Sequence, residues 1–296
     1  ARIMSVKKVL VIRFRRIGDA VLSVVICSSI RKSFPEAEIH YVLNDHIAPL
    51  FENHPDIDKI ITFSDEENNH FFKYLRKVRQ LMKTERYDVI IDTRATIKTL
   101  WFSAFSLRTK YRIGTSKFYN HFFHNYRVRN HVNDDLDEVV RNLLLLRPLE
   151  RERKLIMTTD FRLYVTEQET AEFKSYMEQK GINFSRFIVV CTPFTRVAGK
   201  AWDMAKMKEI LSRIIQRYGA QLIFNYSRIE KEAALALYED MGKDEHIFID
   251  IEADSLRKLV SMLELSDFFF GNEGGPRHIA QSCRVPSLAI YPPRVN

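Results

Sequence analysis

No run of roughly 18 consecutive apolar residues occurs in this 296-residue sequence, which excludes an ordinary membrane-spanning helix. Cysteines are few and odd in number: Cys27, Cys191 and Cys283 lie far apart, each among apolar residues. This usage argues against a disulfide scaffold or a cysteine metal site and is typical of reduced, buried thiols in a cytosolic protein. The opening residues also lack the apolar region and cleavage site of a secretory signal, so we expect none.

The chain has fewer acidic residues than basic ones. The chain has 46 Lys and Arg residues against 38 Asp and Glu, which gives a net charge of +8. An excess of this size predicts an anionic partner but does not choose among nucleic acid, phosphate esters and membrane surfaces.

One segment has no acid at all. The stretch "RTKYRIGTSKFYNHFFHNYRVRNH" (108–131) holds six Arg or Lys and three His, interleaved with six Tyr or Phe. We interpret it as the place where a large anionic ligand docks, with Arg127 and Arg129 among the contacting cations.

Short apolar runs alternate with helical patterns along most of the chain, which is 46% hydrophobic. Strands are predicted at 9–14, 39–44, 59–64, 88–93, 187–192, 221–226, 246–251, 267–272 and 287–292. Helices are predicted near 19–33, 46–53, 70–84, 97–106, 203–217, 229–241, 255–264 and 275–283. This alternation is typical of α/β domains with doubly wound parallel sheets.

The alternation stops between about 108 and 165, apart from one amphipathic helix, "LDEVVRNLLLL". We therefore predict two Rossmann-like domains, 1–160 and 161–296, that face each other across a cleft. Ligands of such sheets bind at the carboxyl ends of the strands, so the informative residues should follow strands directly. The sequence ends just after a strand, where this architecture requires closing helices, and we expect further residues there.

The first predicted strand is followed by "RFRRIGDAVLS", in which Gly18 permits a tight turn and Asp19 lies near a helix start. The residues alone favour Asp19 as a helix cap, because Asp commonly accepts backbone N–H bonds at that position. The alternative is a carboxylate that takes a proton from an acceptor hydroxyl, flanked by Arg15 and Arg16.

The first strand of the second half is followed by "CTPFTRVAGKAWDMAKMKEI". Thr195 and Lys200 are candidate phosphate ligands, and Asp203 is expected to cap the next helix. An exposed loop lysine is usually only solvated, and the P-loop pattern is absent.

The stretch "GNEGGPRHIA" (271–280) places two glycines at another change from strand to helix. Gly274 and Gly275 allow close approach of a ligand, Pro276 suits the first helical position, and the free N–H groups attract an anion. His278 is either a further phosphate donor or an ordinary packed histidine, and Glu273 either binds a ribose hydroxyl or caps the helix.

These features, in this order, resemble the bacterial lipopolysaccharide heptosyltransferase family over nearly the whole chain. "VLVIRFRRIGDAVLSVVICSSIRKSFPEAEIHYV" looks like the opening strand, Gly-Asp turn and helix of that family. "YDVIIDTRATIKTLWFSAF" is similar to its second landmark, usually Asp-x-Gln-Gly followed by Lys-Ser. "GKAWDMAKMKEI" looks like its Lys-x-Trp motif, and "GNEGGPRHIAQSCRVPSLAIYPP" resembles its most specific signature.

The resemblance implies a GT-B fold and an inverting, metal-independent transfer of heptose from ADP-heptose to the inner core of lipopolysaccharide. It implies the catalytic base Asp19, the acceptor residues Arg94 and Lys98, and the donor residues Thr195, Lys200, Glu230, Glu273, Gly274, Gly275 and His278. Glu273 stands where Asp is usual, Gly274 replaces a Ser or Thr, and Arg94 with Ala95 replaces Gln-Gly.

The expected partners are a nucleotide sugar and an anionic glycolipid, with no cofactor and no metal. A glycolipid acceptor further implies a cytoplasmic enzyme that contacts the inner membrane surface peripherally. One alternative is a GT-B transferase or an epimerase that uses another nucleotide sugar. Another is a nucleic-acid-binding protein, which the basic and aromatic stretch suggests but no recognised module supports.

Overall fold

The computed structural model describes residues 6–129, 136–195 and 202–291. The chain forms two compact units that divide between Arg162 and Leu163. Among the described helices, none is both long enough and apolar enough to cross a membrane.

The first unit is built on six parallel strands, joined in the order β3-β2-β1-β4-β5-β6. The strands are β1 (Lys8–Ile12), β2 (Glu38–Asn44), β3 (Lys59–Phe63), β4 (Val89–Asp92), β5 (Tyr111–Thr115) and β6 (Tyr126–Val128). The helices are α1 (Ile17–Ser33), α2 (Asp65–Asn69), α3 (Phe71–Thr84), α4 (Leu100–Ala104) and α5 (Glu138–Leu144), with 3-10 turns at Ala48–Phe51 and Arg147–Arg151.

An aromatic cluster lies beneath the carboxyl end of β1. The ring of Phe14, the second residue after that strand, lies 5.3 Å from the Phe63 ring, 6.4 Å from Tyr74 and 6.3 Å from Phe102. The contacts with Phe63 and Tyr74 are edge-on, and such contacts fix the ring orientations and add to the apolar burial. The cluster therefore anchors the turn between β1 and α1, where Asp19 lies.

The second unit has a five-stranded parallel sheet in the order β11-β10-β7-β8-β9. Its strands are β7 (Ile188–Thr192), β8 (Gln221–Phe224), β9 (Ile247–Phe248), β10 (Phe268–Asn272) and β11 (Ser287–Ile290). Its helices are α6 (Glu167–Gln179), α7 (Met204–Tyr218), α8 (Lys231–Asp240), α9 (Leu256–Glu264) and α10 (Gly275–Ser282), with a 3-10 turn at Arg228–Glu230.

The prediction of two parallel-sheet α/β domains is confirmed. The structure differs within the basic stretch, because β5 and β6 extend the first sheet there instead of interrupting it. Strand β5 buries Tyr111, Ile113 and Gly114. The polar residues Arg112 and Thr115 interrupt this apolar run and hide the strand pattern in the sequence. The helix predicted near 46–53 is only the short 3-10 turn, and α6 was not predicted.

Candidate active site

The turn from β1 to α1 is made by two arginines in left-handed backbone conformations. Arg15 has φ of 65° and Arg16 has φ of 37°. Conformations of this kind cost about 1–3 kcal/mol each, so surrounding contacts must hold them. The side-chain oxygen of Asn44, at the end of β2, accepts a hydrogen bond from the Arg15 backbone N–H at 2.6 Å. The predicted role of Gly18 in this turn is wrong, since Gly18 lies inside α1.

Asp19 is the third residue of α1 and does not cap it. Because the helix begins two residues before Asp19, the cap position is Arg16. The Arg16 side chain makes no capping hydrogen bond. The Asp19 Oδ2 atom instead lies 3.0 Å from the Nη2 atom of Arg13, whose side chain is 7% exposed while that of Asp19 is 33% exposed. The capping interpretation is therefore wrong. A carboxylate that is fixed by a buried guanidinium and still open to solvent suits the alternative role, proton transfer from an acceptor hydroxyl, better than it suits helix capping.

Arg94 lies close to Arg13 and Asp19, in the segment that follows the neighbouring strand β4. Strands β1 and β4 pair with Ile12 opposite Asp92, so the segments after both strands lie side by side. Burial lowers the pKa of the half-buried Arg94 guanidinium, and the charges of Arg13 and Arg15 lower it further.

Lys98 is held a few residues further on. Its ammonium group donates to the backbone oxygen of Asn68 and lies 4.7 Å from the centre of the Tyr74 ring. Burial lowers the pKa of Lys98, and the charge of Arg15 adds to this effect. Cations crowded in this way around one carboxylate favour the binding of a further anion. We call Arg13, Arg15, Arg16, Asp19, Arg94 and Lys98 the Asp19 cluster.

A buried Asp–His pair supports the turn that carries Arg94, and the sequence analysis did not identify it. Asp92 Oδ1 accepts the backbone N–H of Ala95 at 2.8 Å, and Asp92 Oδ2 lies 3.4 Å from Nε2 of His124. Both side chains are buried. The His124 ring packs against Gly114, where a Cβ atom would approach it to 2.7 Å. Tyr119 adds a hydrogen bond to the Ala95 carbonyl at 2.7 Å. Part of the basic stretch is therefore structural.

Arg127 and Arg129, which the sequence analysis predicted to contact an anionic ligand, lie at and just after β6, the edge strand of the first sheet. Arg127 is on β6, in one row across the sheet with Gly114, Asp92 and Ile12. Three strand spacings of about 4.8 Å separate Arg127 from β1, or roughly 14 Å in all. Both arginines are exposed at the sheet edge. The structure brings Arg94 and Lys98 toward Asp19, but not Arg127.

In the second unit, a close approach of β7 and β10 brings together two loops that the sequence analysis predicted to bind the donor. Gly271 lies opposite Thr192, and a Cβ atom there would be 2.2 Å from Thr192 Oγ1 and 2.4 Å from its backbone oxygen. The next residue, Asn272, accepts the backbone N–H of Trp202 at 3.4 Å. The segment near Thr195 and Trp202 therefore lies beside the "GNEGGPRH" segment.

Helix α10 begins with Gly274 at the cap position and has no side-chain capping bond. Pro276 is the second helical residue rather than the first, because the helix starts at Gly275. Glu273 does not cap this helix. Its Oε1 lies 3.7 Å from Nη2 of Arg277 and 3.8 Å from Nε2 of His278. The uncapped first turn suits an anion, and Arg277, which the sequence analysis missed, adds a nearly buried cation.

Two further predicted donor residues, Thr195 and Glu230, lie in the segments that follow β7 and β8. Thr195 is half-buried, and Asp203 caps α7 as predicted by accepting the Lys206 N–H at 3.1 Å. Glu230 accepts the Ser227 N–H at 2.8 Å and so closes a 3-10 turn. Lys200 lies outside the described residues. Within 6–129, 136–195 and 202–291, no three His, Cys, Asp or Glu residues are grouped to hold a metal ion.

Comparison with known proteins gives consistent matches. Residues 75–295 match the sequence profile of glycosyltransferase family 9 (heptosyltransferase). Lipopolysaccharide heptosyltransferase 3 of Escherichia coli K12 is 23% identical over 285 residues, which cover 93% of this chain and 79% of that protein.

Two solved structures share the fold. The glycosyl transferase family 9 protein from Veillonella parvula aligns with a TM-score of 0.83 at 16% identity, covering 97% of this chain and 80% of that one. The E. coli heptosyltransferase WaaC with ADP-2-deoxy-2-fluoro heptose aligns with a TM-score of 0.74 at 15% identity, covering 98% and 90%.

Proposed function

Because the chain belongs to glycosyltransferase family 9, the heptosyltransferase family, we propose that it transfers heptose from ADP-heptose to the inner core of lipopolysaccharide. The chain is thus a glycosyltransferase, and its GT-B architecture supports this chemistry. The observation that carries the proposal is the Asp19 cluster, in which one ordered carboxylate lies among several cations. A phosphorylated or carboxylated glycolipid satisfies those cations while it presents a hydroxyl group to Asp19.

The reaction is an inverting displacement without a metal. The acceptor oxygen attacks the anomeric carbon of the donor sugar, and the bond from that carbon to the distal phosphate oxygen breaks. ADP leaves with the bonding electrons, and the hydroxyl proton passes to the Asp19 carboxylate. Attack opposite the leaving group inverts the anomeric configuration.

The second unit supplies the donor site. The developing charge on the leaving phosphate is stabilised by the uncapped N-terminus of α10 at Gly274 and Gly275. His278 and Lys200 add donors in this proposal, while Thr195, Glu230 and Glu273 contact the rest of the nucleotide sugar. The enzyme acts as a cytoplasmic protein at the inner membrane surface, where its glycolipid acceptor is available.

Calorimetry with ADP-heptose, other ADP-sugars and UDP-sugars tests the donor, with and without a chelator. We expect ADP-linked ligands to bind most tightly and the chelator to have no effect. Lys200→Ala should weaken ADP binding by about 1.5–3 kcal/mol, the range for a charge-assisted hydrogen bond. Lys206→Ala, an exposed lysine in the first turn of α7, is the matched control. Equal affinity for all nucleoside diphosphates, or an absolute need for a divalent ion, contradicts the proposal.

A transferase that uses a different ADP-linked sugar is the second candidate. Two residues favour it: Glu273 stands where the heptosyltransferase signature usually has Asp, and Gly274 stands where that signature has Ser or Thr. The same donor panel separates the two, because a different sugar would then give both the tightest binding and the fastest turnover. The family match is to transferases, which argues against an epimerase.

A further inference from the structure

The outward face of α3 is basic and aromatic. Phe72, Arg76, Arg79 and Lys83 are all exposed, and their spacing places them along one side of the helix. The opposite side buries Tyr74, Val78 and Met82 in the core of the first unit.

An aromatic ledge lies at the start of this face. Phe72 is 84% exposed and Phe71 is 54% exposed. The Phe71 ring lies 5.7 Å from the Phe72 ring and 6.2 Å from Trp101 of α4, which in turn lies 5.7 Å from Phe105. Solvent-facing aromatics grouped in this way, with no covering segment among the described residues, mark a surface that meets an apolar partner.

A groove of about 540 Å³ follows the ledge along the helix. Leu75 and Phe105 form its apolar wall, and Arg76, Arg79 and Lys83 line it without any acidic residue. None of these three cations pairs with a carboxylate among the described residues.

Two other lysines of the same helix are neutralised. Lys73 pairs with Glu66 and Lys77 pairs with Glu67. The unpaired charge is therefore confined to the face that also carries the exposed phenylalanines.

We propose that this face, which we call the α3 face and define as Phe71, Phe72, Leu75, Arg76, Arg79 and Lys83, docks on a bilayer that contains anionic lipids. Aromatic rings partition into the headgroup region of a bilayer, and nearby Lys and Arg are attracted by anionic headgroups. The α3 face combines both chemistries on one helix. The docking itself does not depend on the proposed function. Only its use, access to an acceptor anchored in the membrane, rests on that function.

The start of α3 is tied to the Asp19 cluster. Lys98 donates to the carbonyl of Asn68, and the Tyr74 hydroxyl donates to the Lys98 carbonyl at 2.7 Å. Docking through α3 thus holds Lys98 and its neighbours close to the membrane. An acceptor anchored in the same bilayer by its lipid chains reaches the cluster without leaving the membrane.

Co-sedimentation of the full chain with vesicles tests the inference without donor or acceptor. The vesicles are phosphatidylcholine alone or an equimolar mixture of phosphatidylcholine and phosphatidylglycerol. The charge variant is Arg76→Gln/Arg79→Gln/Lys83→Gln, and the aromatic variant is Phe71→Ser/Phe72→Ser. The control, Arg186→Gln/Arg213→Gln/Arg217→Gln, removes the same charge from exposed positions of the second unit.

We expect the wild-type protein to bind the anionic vesicles and to be released by salt, because salt screens the attraction. The charge variant should bind at least about tenfold more weakly, given the attraction expected for each basic residue near an anionic surface. The control should differ from wild type by less than about twofold, since its charges lie away from the α3 face. The aromatic variant should also bind more weakly. All variants should keep the wild-type midpoint of thermal unfolding, which shows that they are folded whether or not ADP binds.

Equal loss of vesicle binding in the charge variant and the control overturns the inference. So does tighter binding of the wild-type protein to an unrelated oligonucleotide than to anionic vesicles. Failure of the proposed function is separate, because it shows as absent ADP-sugar binding and transfer while vesicle binding persists. On a lipid-free acceptor fragment, the charge variant should keep its wild-type turnover.

Discussion

Arg13 and Asp19 form an ion pair across the end of β1 and the start of α1, with 3.0 Å between Nη2 and Oδ2. The backbone conformations of Arg15 and Arg16 let the chain fold back so that these two side chains meet. Arg13 is nearly fully buried and fixes the carboxylate from the protein side. The Asp19 side chain is still 33% exposed, which leaves it open to the hydroxyl group of the proposed reaction.

Asp19→Asn should fold, bind ADP and transfer sugar roughly 10²–10⁴-fold more slowly, because an amide cannot act as a general base. The substitution weakens the bond with Arg13, so we expect a loss of about 1–3 kcal/mol in the free energy of unfolding. Steady-state turnover, calorimetry with ADP and urea unfolding measure the three quantities. Asp240→Asn, at an exposed carboxylate paired with Lys208 in the second unit, is the control. A turnover above about a tenth of wild type, well short of this loss, shows that Asp19 is not the base.

Arg94→Gln should raise the acceptor KM by roughly tenfold or more, because it removes a charged hydrogen-bond donor from the Asp19 cluster. Arg127→Gln/Arg129→Gln should raise it by a smaller factor, since Arg127 lies three strands from β1. ADP affinity should change in neither variant. Initial rates against acceptor concentration make the comparison. If the double variant has the larger effect, the acceptor binds along the sheet edge rather than at the cluster.

Much of the fold follows from the sequence because buried parallel strands read as short apolar runs. Strands β1, β4, β7 and β10 were predicted in this way, and the residues after them were expected to form the sites. Strand β5 escaped detection because Arg112 alternates with its buried residues. In the structure, the Arg112 side chain donates hydrogen bonds to the backbone oxygens of Leu107, Thr109 and Phe123. It thus stabilises the loops on both sides of β5.

Pairings between side chains could not be predicted in the same way. The Arg13–Asp19 contact depends on two unusual backbone conformations, which no residue type in "RFRRIGD" signals. The Asp92–His124 pair joins the last residue of β4 to a residue in the segment between β5 and β6. It depends on the register of β4 with β5, which places Gly114, the residue against which His124 packs, opposite Asp92. One signal was available: Arg13 is a charged residue at the end of an otherwise apolar run, and buried charges of this kind are usually paired.

Glu169→Gln should destabilise the protein at neutral pH but not in strong acid. A hydrogen bond from Arg257 lowers the pKa of Glu169 from 4.5 to about 2, and its carboxylate also accepts the Thr166 N–H at the start of α6. Because the folded-state pKa is lowered, this stabilisation is full above about pH 4.5 and is lost as the pH falls through 2.

We expect a loss of about 1–2 kcal/mol at pH 7, which disappears near pH 2. Urea unfolding as a function of pH measures it. Glu178→Gln, at an exposed position of the same helix, should show little change at either pH. A loss for Glu169→Gln that is the same at pH 7 and near pH 2 contradicts the assignment to ionisation.

Gly271→Ala should be strongly destabilising, because the new Cβ atom meets both the side chain and the backbone of Thr192. The two strands must move apart, and overpacking of this kind costs about 1–3 kcal/mol or more. Gly274→Ala is the matched control, since its Cβ atom meets only Pro276 Cδ at 3.9 Å. The control should lose less than about 1 kcal/mol. Thermal unfolding compares the two, and equal loss would show that the strands do not need glycine at 271.

Gly274→Ser tests whether an ADP phosphate binds at the start of α10. Gly274 has an extended backbone with φ of 170°, which any residue adopts, and open space around its Cβ position. Serine is a preferred cap residue, so stability should rise by a few tenths of a kcal/mol. Its hydroxyl also restores the hydrogen-bond donor that the heptosyltransferase signature usually has at this position, where Ser or Thr is typical.

ADP affinity should therefore rise by about 0.5–1.5 kcal/mol, the net value of one hydrogen bond. Calorimetry with ADP measures the gain, and Gly274→Ala separates the hydroxyl from the added carbon. Unchanged ADP affinity in a stabilised serine variant would place the phosphate elsewhere. Weaker affinity would mean that the hydroxyl competes with the phosphate for the helix N–H groups, and the predicted gain would then be wrong although the site is right.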